Sequence, residues 1–432
     1  MTIRREFLSD TETPVSLLTA LESGFACVAL FESVEGSERW ARRSLIALSR
    51  EPTRLASSPG EVEPLVRGLG LLRTPDSLLD GCFGYFTWEA AQAFMALPVQ
   101  PQSAQPLAEF FKPEVVLLYD HRRHVVEALF RTAEVEEFCM AALREPRASQ
   151  LAEISEPKRV TAQRLVSHEE YCARVERAKE YIAAGDAFQI VLSQRFTAPA
   201  KPMLDVYRYL RRDNPSPYLF YLRTPHLEAA GASPETLVRV EDGTVTVRPL
   251  AGTRRRGRNE DEDRALATEL LADEKERAEH IMLVDLGRND VGRVAARGTV
   301  KVEPLMTVER YSHVMHLVSE VRGELREDCD ALDAFASAFP AGTLSGAPKK
   351  RAMEIIAELE GAARGLYGGA VGYFAGTHAC DFAIAIRTAW READRCAMQA
   401  GAGVVFDSQA AAEDEECLRK AASPLAACGA KL

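Results

Sequence analysis

Residues Gln399 to Glu416 read Gln-Ala-Gly-Ala-Gly-Val-Val-Phe-Asp-Ser-Gln-Ala-Ala-Ala-Glu-Asp-Glu-Glu. Gly401 and Gly403 lack a Cβ, which frees the backbone for unusual dihedrals and lets N–H groups approach a bound carboxylate or phosphate. Glu413 and Glu416 stand at i,i+3, so a helix beginning here carries both carboxylates on one face. Such a pair could hold a hard cation beside the anion that the glycines receive. A plain turn followed by an acidic first helical turn accounts for the same residues, because the helix dipole favours acids there. Other chemistry-bearing residues have equally plain readings. His316, in Met-His-Leu-Val, has the basicity for proton handling near neutral pH but also suits a core position. Arg387, among Ile384, Ile386 and Trp390, could lie on the outer face of an alternating strand, and Glu279 could be one more solvated acid. Gly365, Gly368 and Gly369 lack both the Lys-Ser/Thr of a phosphate loop and dinucleotide-fingerprint spacing.

The elements that must position these residues follow from periodicity. Ala26 to Ser33 reads as a buried strand, Glu61 to Leu72 as a helix, and Pro113 to Asp120 with His124 to Phe130 as two strands around His121-Arg122-Arg123. Ala142 to Leu165 loses periodicity, holds Pro146 and Pro157, and is the expected linker. It separates an N-terminal subdomain, residues 1–150, from a catalytic domain, residues 160–432. Ser167-His168-Glu169-Glu170 has capping-box spacing, and the helix it opens carries Tyr171, Val175, Ala178 and Ile182 before Gly185 ends it. From Ala187 to Phe196 the alternation turns Gln189 away from the face bearing Phe188. Asp242-Gly243 predicts a type I′ hairpin between Leu237–Val240 and Thr244–Arg248. Helices are expected over Glu262–Glu279 and Ala347–Leu359, and strands over Ala370–Ala375, Phe382–Trp390 and Ala397–Phe406. Short hairpins argue against parallel wrapping, and the expected fold is α/β of the α+β type, with two stacked, largely antiparallel sheets flanked by helices.

The 432 residues, 47% hydrophobic, can bury a large core. A net charge of −11 and a pI near 5.4 argue against a nucleic-acid partner. No apolar run reaches transmembrane length and the first ten residues have no signal-like apolar segment, so a cytoplasmic, membrane-free protein is expected. Nine cysteines without CxxC spacing read as reduced, structural thiols.

Five further islands occur in order: Ser233-Pro234-Glu235; Pro249-Leu250-Ala251-Gly252-Thr253-Arg254; Glu279 to Leu286 running on to Arg288-Asn289-Asp290; Val314-Met315-His316-Leu317-Val318-Ser319; and Pro340-Ala341-Gly342-Thr343-Leu344-Ser345-Gly346-Ala347-Pro348-Lys349. With residues 399–416 they closely resemble the chorismate-utilising enzymes, and among these the anthranilate synthase large subunits. The likeness is dense from Ser167 onward and thin before it. Ala251 stands where aminodeoxychorismate synthases carry a nucleophilic lysine, and Gln189 where isochorismate and salicylate synthases carry a lysine that activates water. Gly401-Ala402-Gly403 and Ala341-Gly342-Thr343 also look like the anthranilate branch. Aminodeoxychorismate synthase and a synthase that stops at 2-amino-2-deoxyisochorismate are the enzyme alternatives. A catalytically silent homologue that only binds tryptophan or a partner is the non-enzymatic one.

The resemblance implies an Mg2+-dependent lyase that adds ammonia to chorismate and expels pyruvate to give anthranilate. Glu279 and Glu416, supported by Glu413, match the magnesium ligands. Gly252, Thr253, Tyr367, Arg387, Gly401, Ala402 and Gly403 match substrate contacts, with Arg387 suited to a carboxylate. His316 matches the histidine associated with pyruvate loss, Glu235 is placed to act as general acid, and Thr253 joins this catalytic set. Ser33, Pro217, Tyr218 and Leu219 match a tryptophan-inhibition pocket, although Phe31-Glu32-Ser33 departs by one residue from Leu-Leu-Glu-Ser and Leu219 stands where methionine is common. Gly81-Cys82-Phe83-Gly84 does not have the spacing of a glutaminase elbow, so ammonia is expected from a separate glutamine amidotransferase subunit.

Overall fold

A computed structural model describes residues 2–33, 42–72, 77–98, 100–145, 160–311 and 314–432. Residues 146–159, the middle of the expected linker, lie outside it.

Central strands such as Cys27–Glu32, Arg43–Ser49 and Cys82–Phe86 are near-continuous apolar runs that demand cover on both faces, and two stacked sheets with helices outside supply it. The larger runs from Ile3–Leu8 through Val125–Phe130, Val115–Asp120, Arg43–Ser49 and Cys27–Glu32 into Tyr218–Arg223, Glu228–Ser233, Thr388–Glu392, Arg395–Val404, Gln189–Pro199 and Gln163–Arg164. The smaller joins Cys82–Phe86, Ala108–Phe111 and Arg54–Ala56 to Ala370–Phe374, Cys380–Ile384, Thr236–Glu241, Thr244–Val247, Val321–Glu324 and Lys301–Val302. Strands of the N-terminal third thus continue both sheets of the remainder. The pairings within these sheets are antiparallel. Asp242 and Gly243 both have positive φ, 50° and 73°, as a type I′ turn requires.

Between the sheets lies a core that includes Phe83, Phe86, Phe110, Phe335, Phe374 and Phe382. A second core fills the outer face of the larger sheet under the helices Pro14–Leu21, Ala133–Arg144, Met203–Asp213 and Ala410–Ala427. The helix expected from Glu61 to Leu72 spans Pro59–Arg67, and that expected over Glu262–Glu279 is two helices, Glu260–Ala272 and Glu274–Gly292. Asp273 divides them: its extended backbone ends one, and its side chain accepts from the N–H groups of Lys275 and Glu276 to start the other. Ser167 accepts from Glu170 N–H and opens the helix His168–Ala183.

One expected strand proves to be two. Cys380–Ile384 belongs to the smaller sheet and Thr388–Glu392 to the larger. The chain crosses between the sheets at Ala385–Arg387, where Ala385 N–H donates to Gly369 O and Arg387 takes φ 52°. Arg387 is therefore on a crossover rather than on a strand, and the crossover turns it into the gap between sheets.

Candidate active site

A cavity of about 790 Å³ opens beside the crossover, with Ile386 and Arg387 in its lining. Its wall brings together Glu235, Gly252, Thr253, Glu279, His316, Tyr367, Arg387, Gly401, Gly403, Glu413 and Glu416, residues spread over most of the catalytic half.

One wall is built by the antiparallel strands Leu250–Arg255 and Val314–Val318, whose register slips between Ala251 and Thr253. Gly252 is the extra residue of this bulge, with φ +65°, a conformation that favours glycine. The bulge aims its carbonyl oxygen at His316 Nδ1, 2.9 Å away, and Thr253 Oγ1 lies 3.1 Å from the same nitrogen. A proton on Nδ1 shared with the carbonyl leaves Nε2 as the free acceptor. Burial pulls the His316 pKa below the ordinary histidine value, with Arg387 acting in the same sense, so the ring is held neutral.

Glu235, 8% exposed, accepts from Thr343 Oγ1 at 2.9 Å. Burial pushes its carboxyl up to about 7 against that hydrogen bond and the Lys420 charge. Arg387 has no hydrogen-bond or ion-pair partner for its guanidinium among the described residues, and burial lowers its pKa despite nearby Tyr367 and Glu416.

The glycines act differently from expectation. Neither Gly401 nor Gly403 has positive φ; a Cβ at Gly401 would stand 2.7 Å from Tyr367 Oη and from Leu192 O, and one at Gly403 2.6 Å from Gln189 Nε2. Close approach, not unusual backbone, excludes a side chain. The ladder then decides which amides are free. Ser193, opposite Gly401, donates its N–H to Glu360 Oε1 instead of across the ladder, Val191 O opposite Gly403 accepts from Arg364, and Gly401 O accepts from Lys420 Nζ at 3.0 Å. Gly401 and Gly403 therefore turn their N–H groups away from that neighbour, to the side where Thr388–Glu392 has already ended. Ala402, between them, has its amide in the ladder and its fully buried methyl in the core, so it does not belong to the anion-receiving set.

The adjoining rim is acidic: Lys420 Nζ reaches both Gly401 O and Glu416, and Gln189 Nε2 lies between Gly403 and Glu279. Burial, with Glu276 and Glu416 nearby, raises the Glu279 pKa; burial, with Glu416 nearby, raises that of Glu413 against a hydrogen bond from Ser408. Glu416 pairs with Lys420 at 2.6 Å. Gln189 Nε2 donates to Glu279 Oε1 at 3.4 Å and leaves its own Oε1 buried without a partner among the described residues. Crowded carboxylates with an unused carbonyl oxygen suit a hard divalent cation. Among the described residues no three acidic, histidine or cysteine groups could hold a metal unaided, so substrate and water would complete the shell.

The remaining expected set is divided. Pro217 lines the cavity, whereas Tyr218 reaches Asp381 Oδ1 at 2.9 Å. Ser33 follows in register across from Tyr218, its buried Oγ without a partner among the described residues, and Leu219 faces the outer core. Sequence reasoning assigned no site role to Glu276, Lys420 or Gln399, all of which line the cavity. Helical spacing was the available signal for two of them, since Glu276 precedes Glu279 by three and Lys420 follows Glu416 by four.

The sequence matches the chorismate binding enzyme family over residues 31–426. The chain belongs to this family. Anthranilate synthase component 1 of Acetivibrio thermocellus is 42% identical, with 98% of this chain and 94% of that one covered, and its namesake in Streptomyces coelicolor is 45% identical over 98% and 88%. The crystal structure of anthranilate synthase component I from Streptococcus pneumoniae superposes with a TM-score of 0.81 at 34% identity, covering 97% and 99% of the two chains. The menaquinone-specific isochorismate synthase of Escherichia coli, 19% identical with a TM-score of 0.79 over 99% of this chain and 94% of that one, shares the fold. Within this chorismate binding enzyme, Ala251 leaves the cavity wall without an amine at the bulge. All nine cysteines are free thiols, and among the described residues no helix is long and apolar enough to cross a membrane.

Proposed function

We propose that this chain adds ammonia to chorismate and expels pyruvate to form anthranilate, as the synthase component of an anthranilate synthase. The observation that carries the reading is a single cavity lined by a buried guanidinium, the free amides of Gly401 and Gly403, a cluster of carboxylates, an acid whose pKa burial raises and a histidine that burial holds neutral. Chorismate carries two carboxylates, and the cationic and amide groups suit one while a cation on the carboxylates suits the other. The Arg387 guanidinium and the free amides of Gly401 and Gly403 suit the carboxylate of the enolpyruvyl arm. Glu279 and Glu416, with Glu413 behind them, would hold Mg2+, which when bound neutralises the ring carboxylate and withdraws electrons from the ring.

Glu235, protonated about half the time near pH 7, gives its proton to the departing ring hydroxyl as ammonia adds at the conjugated carbon. His316 then removes, through Nε2, the hydrogen from the carbon that bears the new amine. The bond from the ring to the enolpyruvyl oxygen breaks, the ring becomes aromatic, and the arm leaves as the enolate, which takes up a proton to become pyruvate. Thr253 and Gly252 O hold the imidazole in the tautomer this step needs.

Ammonia reaches the site from a separate glutamine amidotransferase subunit, and free ammonium substitutes for it. L-Tryptophan inhibits by binding beside Ser33 and Tyr218; the unpartnered Ser33 hydroxyl supports a polar ligand there. The test is to supply purified protein with chorismate, magnesium and excess ammonium, and to follow anthranilate fluorescence and pyruvate together. Both products appear, and both vanish on chelation or in Glu416→Gln. Chorismate consumed without pyruvate would overturn the lyase reading, and no consumption would leave a silent homologue.

A further inference from the structure

Asp414 lies between two carboxylates of the cavity, yet faces away from it. In the helix Ala410–Ala427, Glu413, Glu416 and Lys420 form one stripe that lines the cavity. Asp414 is about 100° further round and 2% exposed. Its two oxygens take four N–H donors: Arg164 Nη1 at 3.1 Å and Arg164 Nη2, His168 Nδ1 at 2.8 Å, and Gln194 Nε2 at 2.7 Å. These donors come from three elements. Arg164 belongs to the edge strand Gln163–Arg164 and is itself held by Val166 O at 2.5 Å; His168 opens the helix His168–Ala183; Gln194 lies in the strand opposite Ala400.

We infer that Asp414 is a positioning residue: with Arg164 and His168 it sets the rotation of the C-terminal helix, and thereby directs Glu413 and Glu416 into the cavity. The inference rests on the metal role proposed for these glutamates. The helix begins at Gln409 without a side-chain cap, so its first turn is held by side chains further in: Ser408 against Glu413, and the Arg164, His168 and Gln194 donors on Asp414. A helix held at one point can roll about its axis; one held from a strand edge, a helix start and a sheet interior cannot. Cys417, one turn on, repeats the arrangement by donating to Tyr171 Oη at 3.1 Å, which donates to Leu192 O. Plain stabilisation is a poor account of Asp414, because a buried ion pair is often no better than apolar packing of the same volume. Its return is orientation.

The probe is manganese(II) titrated into substrate-free protein, followed by the electron paramagnetic resonance of the free ion. Asp414→Asn keeps the shape but sets amide hydrogens against the arginine and histidine donors. Partners that orient metal ligands typically change affinity by about 10- to 100-fold, so a loss of at least tenfold is expected. Arg164→Gln, at a half-buried position, provides the same test if Asp414→Asn does not fold, and His168→Gln, which keeps an N–H donor, should retain most of the affinity. Leu425→Ala, buried at the far end of the same helix, is the control for lost stability and should leave the affinity unchanged. Unchanged manganese binding in Asp414→Asn and Arg164→Gln, or equal weakening in Leu425→Ala, would overturn the positioning role. Wild-type protein that binds no manganese would sink the metal reading itself.

Discussion

Glu235 offers the sharpest test, because its protonation and its neighbour are both defined. An ordinary glutamate with a pKa of 4.5 is protonated in about one molecule in 300 at pH 7, whereas Glu235, pushed up to about 7, is protonated in about half. Burial thus supplies on the order of 100-fold more acid at neutral pH. The acid is lost as pH rises, so kcat/KM for chorismate should fall through a limb near pH 7. Glu235→Gln should remove that limb and lower kcat/KM by about 10²- to 10⁴-fold, the usual contribution of general acid catalysis. Thr343→Val provides the more discriminating result. Its hydroxyl donates to Glu235 Oε1 and favours the ionised form, and a hydrogen bond to a charged group contributes about 1.5 kcal/mol or more. Removing it should move the limb upward by about one pH unit, at 1.36 kcal/mol per unit, while leaving the acid in place. The assay is anthranilate fluorescence under saturating ammonia, measured from pH 5.5 to 9. A limb that stays put or moves down in Thr343→Val, or that survives in Glu235→Gln, would refute the assignment.

Two further outcomes are expected. His316 must be neutral to accept a proton, so the acid limb of the profile lies below the ordinary histidine value of 6.5, and His316→Asn should abolish it; chorismate should then be consumed with pyruvate release slowed by about 10²-fold or more, as paired assays would show. Gly401→Ala should be worse than Gly403→Ala, because the added methyl meets backbone Leu192 O and Tyr367 Oη in the first case but only the movable end of Gln189 in the second; overpacking of about 1–3 kcal/mol should appear in denaturant unfolding and as a raised KM for chorismate in Gly401→Ala alone.

Local chemistry was legible wherever a few neighbouring residues decide the outcome. Ser167 as a helix cap, Asp242-Gly243 as a hairpin, and Gln189 on the face away from Phe188 all follow from dihedral preference and from period two or 3.6. The islands of polar residues between apolar runs also marked the cavity wall, which Glu235, His316 and Arg387 all line. Expectation failed where distant strands compete. Phe382 to Trp390 has the length and composition of a single strand, and nothing in it reveals that the two halves join different sheets with Arg387 at the crossing. For the glycine pair, the sequence offered conformational freedom as the reason, but Tyr367 and Gln189, remote in the chain, supply the true one, and the ladder partner removes Ala402 from the site.

The sequence by itself determined which groups are available, on which face of a local element each stands, and the order in which those elements follow one another, since these depend on bonds and neighbours only a few residues apart. The tertiary structure alone decided that the Glu235 pKa is raised, that the His316 pKa is lowered, that the Arg387 guanidinium is left without a partner among the described residues, and that Asp414 turns a helix toward the cavity. Each of those depends on burial and on charges brought together from far along the chain, and both arise only when the two sheets close on one another.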